Sequence, residues 1–394
     1  MEKNKYFLSC DIGSEYIKLI LFEYDNSAKG FKPVKHIIRK VIESDLNNRH
    51  PERCIEETFK EAANDLQTDI KDNIFVNINN QNIISQTVLN KIDFDRPFVI
   101  NENTLKDLNE IVFNSVDKHE EIIYLRTNKY IIDKKTTVSN PLLIEAKTLE
   151  VENFLVKTDT RYLDDIENIL ESASLSATSI IPGVIAQGEI LLSTAEKNLG
   201  AALLDIGYST TDVVIYEGGN INLAFTLNIG IGDFIESISQ ILHLKYKDAY
   251  YIYKEYANLS EKNSETPISF IDIYGAKKVV LVGFLNKIIE DLLGQLLIKV
   301  RSIFTNKNIK CNAITLSGGI SNLVGIRGLV SNIFSISKVK IGKLNECKSV
   351  ELSDNKWATC FGMMHIATDE IKPKPTDIYN IFYKIKTFIE NLLK

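Results

Sequence analysis

The sequence predicts an α/β fold of two similar domains, and three observations carry that expectation. Residues 9–25 read SCDIGSEYIKLILFEYD, and residues 203–219 read LLDIGYSTTDVVIYEGG. Both run strand, Asp-Ile-Gly, small polar residues, second strand. The third stretch, AITLSGGISNLVGIRGLVSNIF at 313–334, is a buried apolar strand ending in paired glycines, with a helix expected from about Asn322.

In the first copy, Tyr6-Phe7-Leu8 and Ile17, Leu19 and Leu21 form two strands around Asp11-Ile12-Gly13-Ser14. Gly13 lets the backbone approach a ligand closely. Successive N–H groups in such a turn make a concave anion site. An Asp at the strand end suits a water-ligated Mg²⁺, which prefers carboxylates and phosphate oxygens. The second copy repeats this with Asp205, Gly207, Ser209, Thr210, Thr211 and Asp212. One Asp-x-Gly hairpin is a common turn. Two copies fit a triphosphate held by one hairpin from each domain. Ser317-Gly318-Gly319-Ile320 adds a strand-to-helix turn at which a flat ring and a phosphate can lie on backbone and a helix N-terminus.

Composition is compatible with this reading. The 394 residues are 44% hydrophobic and 25% charged, an ordinary globular balance. A net charge of −6 gives no basic footprint for nucleic acid. Cys10, Cys54, Cys311, Cys347 and Cys360 are scattered, with no Cys-x-x-Cys pair, and are expected as reduced core thiols rather than a zinc site. No signal-peptide pattern and no span of roughly 20 apolar residues are visible, so a cytoplasmic protein is expected. His36, His50, His119, His243 and His365 accompany no nucleophile motif.

The order hairpin, hairpin, Gly-Gly turn resembles the actin, sugar-kinase and heat-shock-chaperone superfamily. The middle of the chain resembles the bacterial cell-division FtsA family more narrowly. In YIIDKKTTVSNPLLIEAKTLEVENFLVKT (130–158), Tyr130, Asp133, Asn140-Pro141 and Leu149-Glu150-Val151 match a small inserted subdomain of that family. INENTLKDLNEIV (100–112) looks like its first helix, capped by Asn103 or Thr104, and STAEKNLGAALLDIG (193–207) like its lead into the second hairpin. The resemblance implies an actin-like, two-domain nucleotide-clamp fold with a small inserted subdomain and a C-terminal amphipathic helix. The expected divisions are 1–83 with 163–203 for the first nucleotide domain and 84–162 for the insert. The second nucleotide domain takes 204–233 with 311–370 around a helical peptide-binding part at 234–310, before a tail at 371–394.

The same resemblance implies ATP and Mg²⁺ as cofactors, with Asp11, Asp205 and Asp212 around the metal's waters. It also implies self-polymerisation and a place among the divisome proteins at the division septum. A partner expected from it is the C-terminal peptide of the tubulin-like ring protein FtsZ, near Lys277 and Lys278. Residues 271–304 read as one long helix beside that patch. Three departures bear on the nucleotide. Tyr208 and Ser209 stand where the family has glycines, and Gly230-Ile231-Gly232-Asp233 replaces its Gly-Gly helix start. Tyr250 and Tyr253 replace a Glu and a Lys offered to adenosine. A tyrosine can stack on a base but supplies no point charge. At most a weak ATPase is expected.

The tail, KPKPTDIYNIFYKIKTFIENLLK, opens with Pro373 and Pro375 as a short linker. Ile378, Ile381, Phe382, Ile385, Phe388, Ile389 and Leu392 then recur at spacings of three and four. From residue 371 on, five Lys face one Asp and one Glu, a balance of +3 against about −9 for the rest. A basic amphipathic helix after a linker reads as an anchor on an anionic membrane, here its cytoplasmic face. A helix packed on its own core is the plainer alternative. Two other assignments share the hairpins, a PilM-type pilus-assembly scaffold and a small-molecule kinase. No motif for a kinase's catalytic base is visible.

Overall fold

The computed structural model describes residues 6–25, 30–41, 51–66, 70, 73–79, 83–117, 119–344 and 351–371. The tail, including Ile378, Ile381, Phe382, Ile385, Phe388, Ile389 and Leu392, lies outside them, as do His50 and Cys347. The chain divides into two units. Residues 6–190, 220–225 and 357–371 make the first, and residues 191–219 and 226–356 the second.

The first unit begins with β1 (Tyr6–Ile12), β2 (Tyr16–Asp25) and β3 (Gly30–Lys40), followed by α1 (Pro51–Leu66) and β4 (Ile74–Ile78). The sheet is completed after the insert by β9 (Ser179–Pro182), in the order β3-β2-β1-β4-β9. The first three strands are antiparallel, whereas β4 runs parallel to β1 and β9 parallel to β4. The strand β4 is buried along its whole length, as a parallel strand covered on both faces should be.

The insert between β4 and β9 consists of β5 (Ile84–Val99), α2 (Glu102–Asn114), β6 (Glu120–Ile132), β7 (Thr136–Val138) and β8 (Glu145–Asp159), and α3 (Thr160–Glu171) leads out of it. Its sheet runs β5-β8-β6-β7, all antiparallel. The helix α2 lays Leu105 and Leu108 against Tyr130, Leu149 and Val151. Its cap is Asn101, not Asn103 or Thr104: the Asn101 side chain accepts from Thr104 N–H at 3.1 Å. The cap therefore sits two residues earlier than the apolar spacing suggested. Tyr130 and Leu149-Glu150-Val151 lie on paired strands, and Asp133 fixes the turn between them by accepting from the N–H groups of Lys147 and Thr148.

After α4 (Gly183–Leu191), the second unit opens with α5 (Thr194–Leu199), β10 (Ala201–Ile206) and β11 (Thr211–Glu217); β12 (Asn220–Leu227) follows, its residues 226–227 counting with the second unit. The helices α6 (Ile231–Leu242) and α7 (Tyr246–Tyr256) follow, then β13 (Pro267–Ile271), β14 (Lys277–Leu281) and α8 (Val282–Asn306). The unit ends with β15 (Ala313–Ser317), α9 (Ile326–Phe334) and β16 (Val339–Ile341). The sheet built on β10 runs β12-β11-β10-β15-β16, the same order as the first, with β11 antiparallel to β10, β15 parallel to β10 and β16 parallel to β15. The chain then returns to the first unit with α10 (Ala358–Ile371), which packs on β1 and β4.

Two sequence expectations are corrected here. Residues 271–304 do not form one helix: β13 and β14 make a hairpin around Gly275, whose φ is +83°, and α8 starts at Val282. Val279 and Val280 suit a pleated strand better than a helix. Lys277 and Lys278 thus stand on a strand. The helix expected near Asn322 begins instead at Ile326, after a single 3₁₀ turn over Gly319–Asn322 and a positive-φ cap at Gly325. Cys10, Cys54 and Cys360 are buried and in no disulfide, and burial pushes Cys360 up to about 12.

Glu196 shows how the second unit closes on itself. It forms a capping box with Ser193, and Lys340 on the edge strand β16 donates to it at 2.7 Å. Burial alone would raise this carboxyl, yet the Lys340 and Ser193 hydrogen bonds hold it at about 2. A carboxyl lowered in the folded state stabilises above its unfolded value of about 4.5, and that stabilisation is lost as pH falls towards 2. Glu196→Gln should cost about 1–3 kcal/mol at neutral pH. Its deficit against wild type should shrink between about pH 4.5 and 2 in urea titrations.

Candidate functional site

In the first unit the Asp-Ile-Gly turn is closed by Gly13 N–H donating to Tyr16 O at 3.1 Å. Ser14 is exposed at its tip. Asp11 ends up buried, with relative exposure of 4%. Lys18, its cross-strand partner, donates to Oδ2 at 2.5 Å, and Asn77 Nδ2 on β4 donates to Oδ1 at 2.9 Å. Each carboxylate oxygen retains a further lone-pair site. The group is thus charge-paired yet able to accept from metal-bound water.

In the second unit Asp205 and Asp212 are direct cross-strand partners. Both oxygens of Asp212 accept from threonines, Oδ1 from Thr226 at 2.5 Å and Oδ2 from Thr210 at 2.8 Å. Burial and the neighbouring Asp205 push Asp212 up to about 7, against the pull of those hydroxyls. Thr211 is fully buried and donates to Ile229 O at 2.7 Å. Ser209 is exposed, and Gly207 N–H closes the turn on Thr210 O at 2.8 Å. Among the described residues no group of three or more His, Cys, Asp or Glu could hold a metal ion. Two carboxylates suit a cation whose remaining ligands are water and ligand phosphates, as for Mg²⁺.

The glycine turn meets this hairpin. Gly318 has φ of +76°, and a Cβ there would stand 2.3 Å from Asp205 Oδ1 and 2.5 Å from Ile206 O. Gly319 is exposed, whereas Ile320 is fully buried and serves the core. Gly230 also lies against the hairpin, because a Cβ there would stand 2.3 Å from Tyr208 O. Ile231 N–H and Gly232 N–H donate to Gly207 O and Tyr208 O at 3.0 and 2.8 Å. The first donors of α6 are therefore used by the hairpin itself, and Tyr208 OH reaches Tyr246 OH at the start of α7.

The side chains expected near adenosine are differently disposed. Tyr253 is buried, with 6% exposure, and offers no stacking face. Tyr250 is half-buried, with Lys254 Nζ over its ring at 5.4 Å. Lys277 and Lys278 are exposed on β14, and Lys278 Nζ stands 3.9 Å from Asp272. Lys18, Asn77 and Thr226 were not singled out by the sequence reading. Counting the hairpin register back from Gly13 finds Lys18, and Asn77 stands out as the polar interruption of IFVNI. Thr226 left no such signal.

The family model described as cell division protein FtsA matches residues 202–362. A protein named cell division protein FtsA from Buchnera aphidicola is 22% identical over 87% of this chain and 86% of its own length. One of the same name from Bacillus subtilis is 22% identical over 93% and 84%. The structure of a PilM–PilN type IV pilus biogenesis complex superposes with a TM-score of 0.65 at 15% identity, covering 93% of this chain and 99% of that one. MreB5 of Spiroplasma citri bound to AMPPNP gives 0.51 at 12% identity, over 100% and 99%. The resemblance to FtsA thus extends over most of the chain, and the fold is that of the actin-like ATPases.

Gly318→Ala should damage the second hairpin. The added methyl meets a carboxylate and a carbonyl at a positive φ, a combination expected to cost at least about 2 kcal/mol. Gly328→Ala meets open space in α9 and serves as the control. Thermal unfolding should separate the two, and equal melting temperatures would remove the close approach from the account.

Proposed function

We propose that this actin-like relative of FtsA is a cell-division protein that binds Mg-ATP, polymerises, and tethers an FtsZ ring to the cytoplasmic face of the membrane. The observation that carries the nucleotide reading is the duplicated sheet order, with an Asp-Ile-Gly hairpin at the same place in each copy. Asp11 and Asp205 serve the metal's water shell, and Asp212 acts behind them through Thr210. Ser14, Ser209 and Gly319 offer backbone or hydroxyl donors to phosphate, while Gly13 and Gly207 close the turns that present them. Asp212, pushed up to about 7, and the buried Tyr253 support weak binding with little or no hydrolysis. Residues 84–162 act as the polymer-contact insert, Lys277 and Lys278 meet the acidic FtsZ peptide, and 371–394 hold the membrane.

A PilM-type scaffold is the second reading, favoured by the superposition on the PilM–PilN complex. The membrane tail separates the two. Full-length protein should pellet with anionic liposomes, while protein lacking residues 371–394 should stay in the supernatant and still fold. Phe382→Glu with Phe388→Glu should do the same, by placing two charges in the apolar stripe. Equal pelleting of all forms would favour the scaffold.

The nucleotide reading is checked by calorimetry. Asp205→Ala should weaken Mg-ATP by about tenfold or more, as loss of a charged group at a metal site implies. No heat of binding in wild type would leave a nucleotide-free actin-like scaffold.

A further inference from the structure

The sequence of β4, Ile74-Phe75-Val76-Asn77-Ile78, is apolar except at Asn77, and every residue in it is buried. Asn is disfavoured in strands, and an apolar residue of similar size would pack there without a polar group to satisfy. Its place is explained by register. The strands β1 and β4 are parallel, with Leu8 beside Ile74, Ser9 beside Phe75 and Cys10 beside Val76. The next pair in that register is Asp11 with Asn77. The Asn77 amide spans this pair in both directions: Nδ2 donates to Asp11 Oδ1 at 2.9 Å, and Oδ1 accepts from Ile12 N–H at 2.7 Å. One side chain thereby fixes the carboxylate and the first backbone group of the turn that follows it. Lys18 takes the other carboxylate oxygen.

In the second copy the register partner of Asp205 on β15 is Ser317, one side-chain atom shorter in reach and without an amide. The asparagine is thus particular to the first hairpin.

We propose that Asn77 is the positioning residue of the first hairpin, aiming the Asp11 carboxylate at the water shell of a divalent cation carried by a nucleoside triphosphate. This rests on the reading that the hairpins serve Mg-ATP. Asn77 touches neither metal nor phosphate; it acts through Asp11 and Ile12. Two donors on a carboxylate that keeps one lone pair per oxygen free leave it little rotational freedom. A metal-bound water then meets an acceptor already in place.

The test measures a fluorescent ATP analogue binding to full-length protein with Mg²⁺ and with EDTA. Wild type, Asn77→Ala, Asp11→Asn and the double variant are compared. Wild type should gain affinity from Mg²⁺. Asn77→Ala should lose about tenfold of that gain, the worth of a hydrogen bond to a charged group, with its EDTA affinity unchanged. The double variant should lose no more than Asp11→Asn alone, because the two side chains act as one unit. If Asn77→Ala does not fold, Asn77→Ser replaces it with the same expectation. Equal losses in Mg²⁺ and EDTA, or no loss, would make Asn77 a packing residue and overturn the proposal. Wild type that binds in EDTA without gaining from Mg²⁺ would overturn the proposal alone, leaving nucleotide binding intact. Wild type that binds under neither condition would overturn both.

Discussion

A carboxylate buried at the tip of a sheet must be held by donors from its own hairpin or from the next strand, because an unpaired charge there is costly. Both five-stranded sheets are arranged around that requirement. In the first, Asp11 lies between Lys18 across the hairpin and Asn77 on the parallel strand. In the second, Asp212 is held by Thr210 from the turn and Thr226 from β12. These bonds tie the hairpin, the turn and a flanking strand together. The shared strand order then follows as the scaffold that brings such donors within reach twice.

The two copies meet the requirement with opposite charge balance. Lys18 neutralises Asp11, so the first hairpin carries its acid as one half of an ion pair. The second has two acids face to face, and Asp212 accepts from two hydroxyls. Asp212 is consequently pushed up towards neutrality by burial and by Asp205. A buried pair of carboxylates resists full ionisation unless a cation is supplied. The duplicated turn is therefore one geometry with two electrostatic characters.

The fold was legible in the sequence because its main signal is local. Asp-Ile-Gly between apolar strands can be read twice without any long-range knowledge, and the paired glycines of 318–319 mark the third turn. What was misread depended on competing local signals. Residues 271–281 carry apolar spacing that suits a helix, but Gly275 and two adjacent valines favour a hairpin. Asn101 lies just ahead of the apolar run that drew attention to Asn103. The donors Asn77 and Thr226 come from strands 66 and 14 residues away in sequence from the acids they hold, so only the register brings them together.

The tyrosine in the second turn shows how a turn can touch a neighbouring helix start while carrying a bulky residue. A turn that must approach another backbone needs a missing Cβ somewhere, not at a fixed position. Here Tyr208 occupies the turn, and its carbonyl lies 2.3 Å from where a Cβ of residue 230 would be. Gly230 therefore carries the requirement, at the start of the helix that the turn touches. Gly207 O and Tyr208 O take the first N–H groups of that helix, which satisfies donors that a bare helix start would leave free. Two of the four N–H groups at the start of α6 are thereby committed to the hairpin and are not offered to an anion.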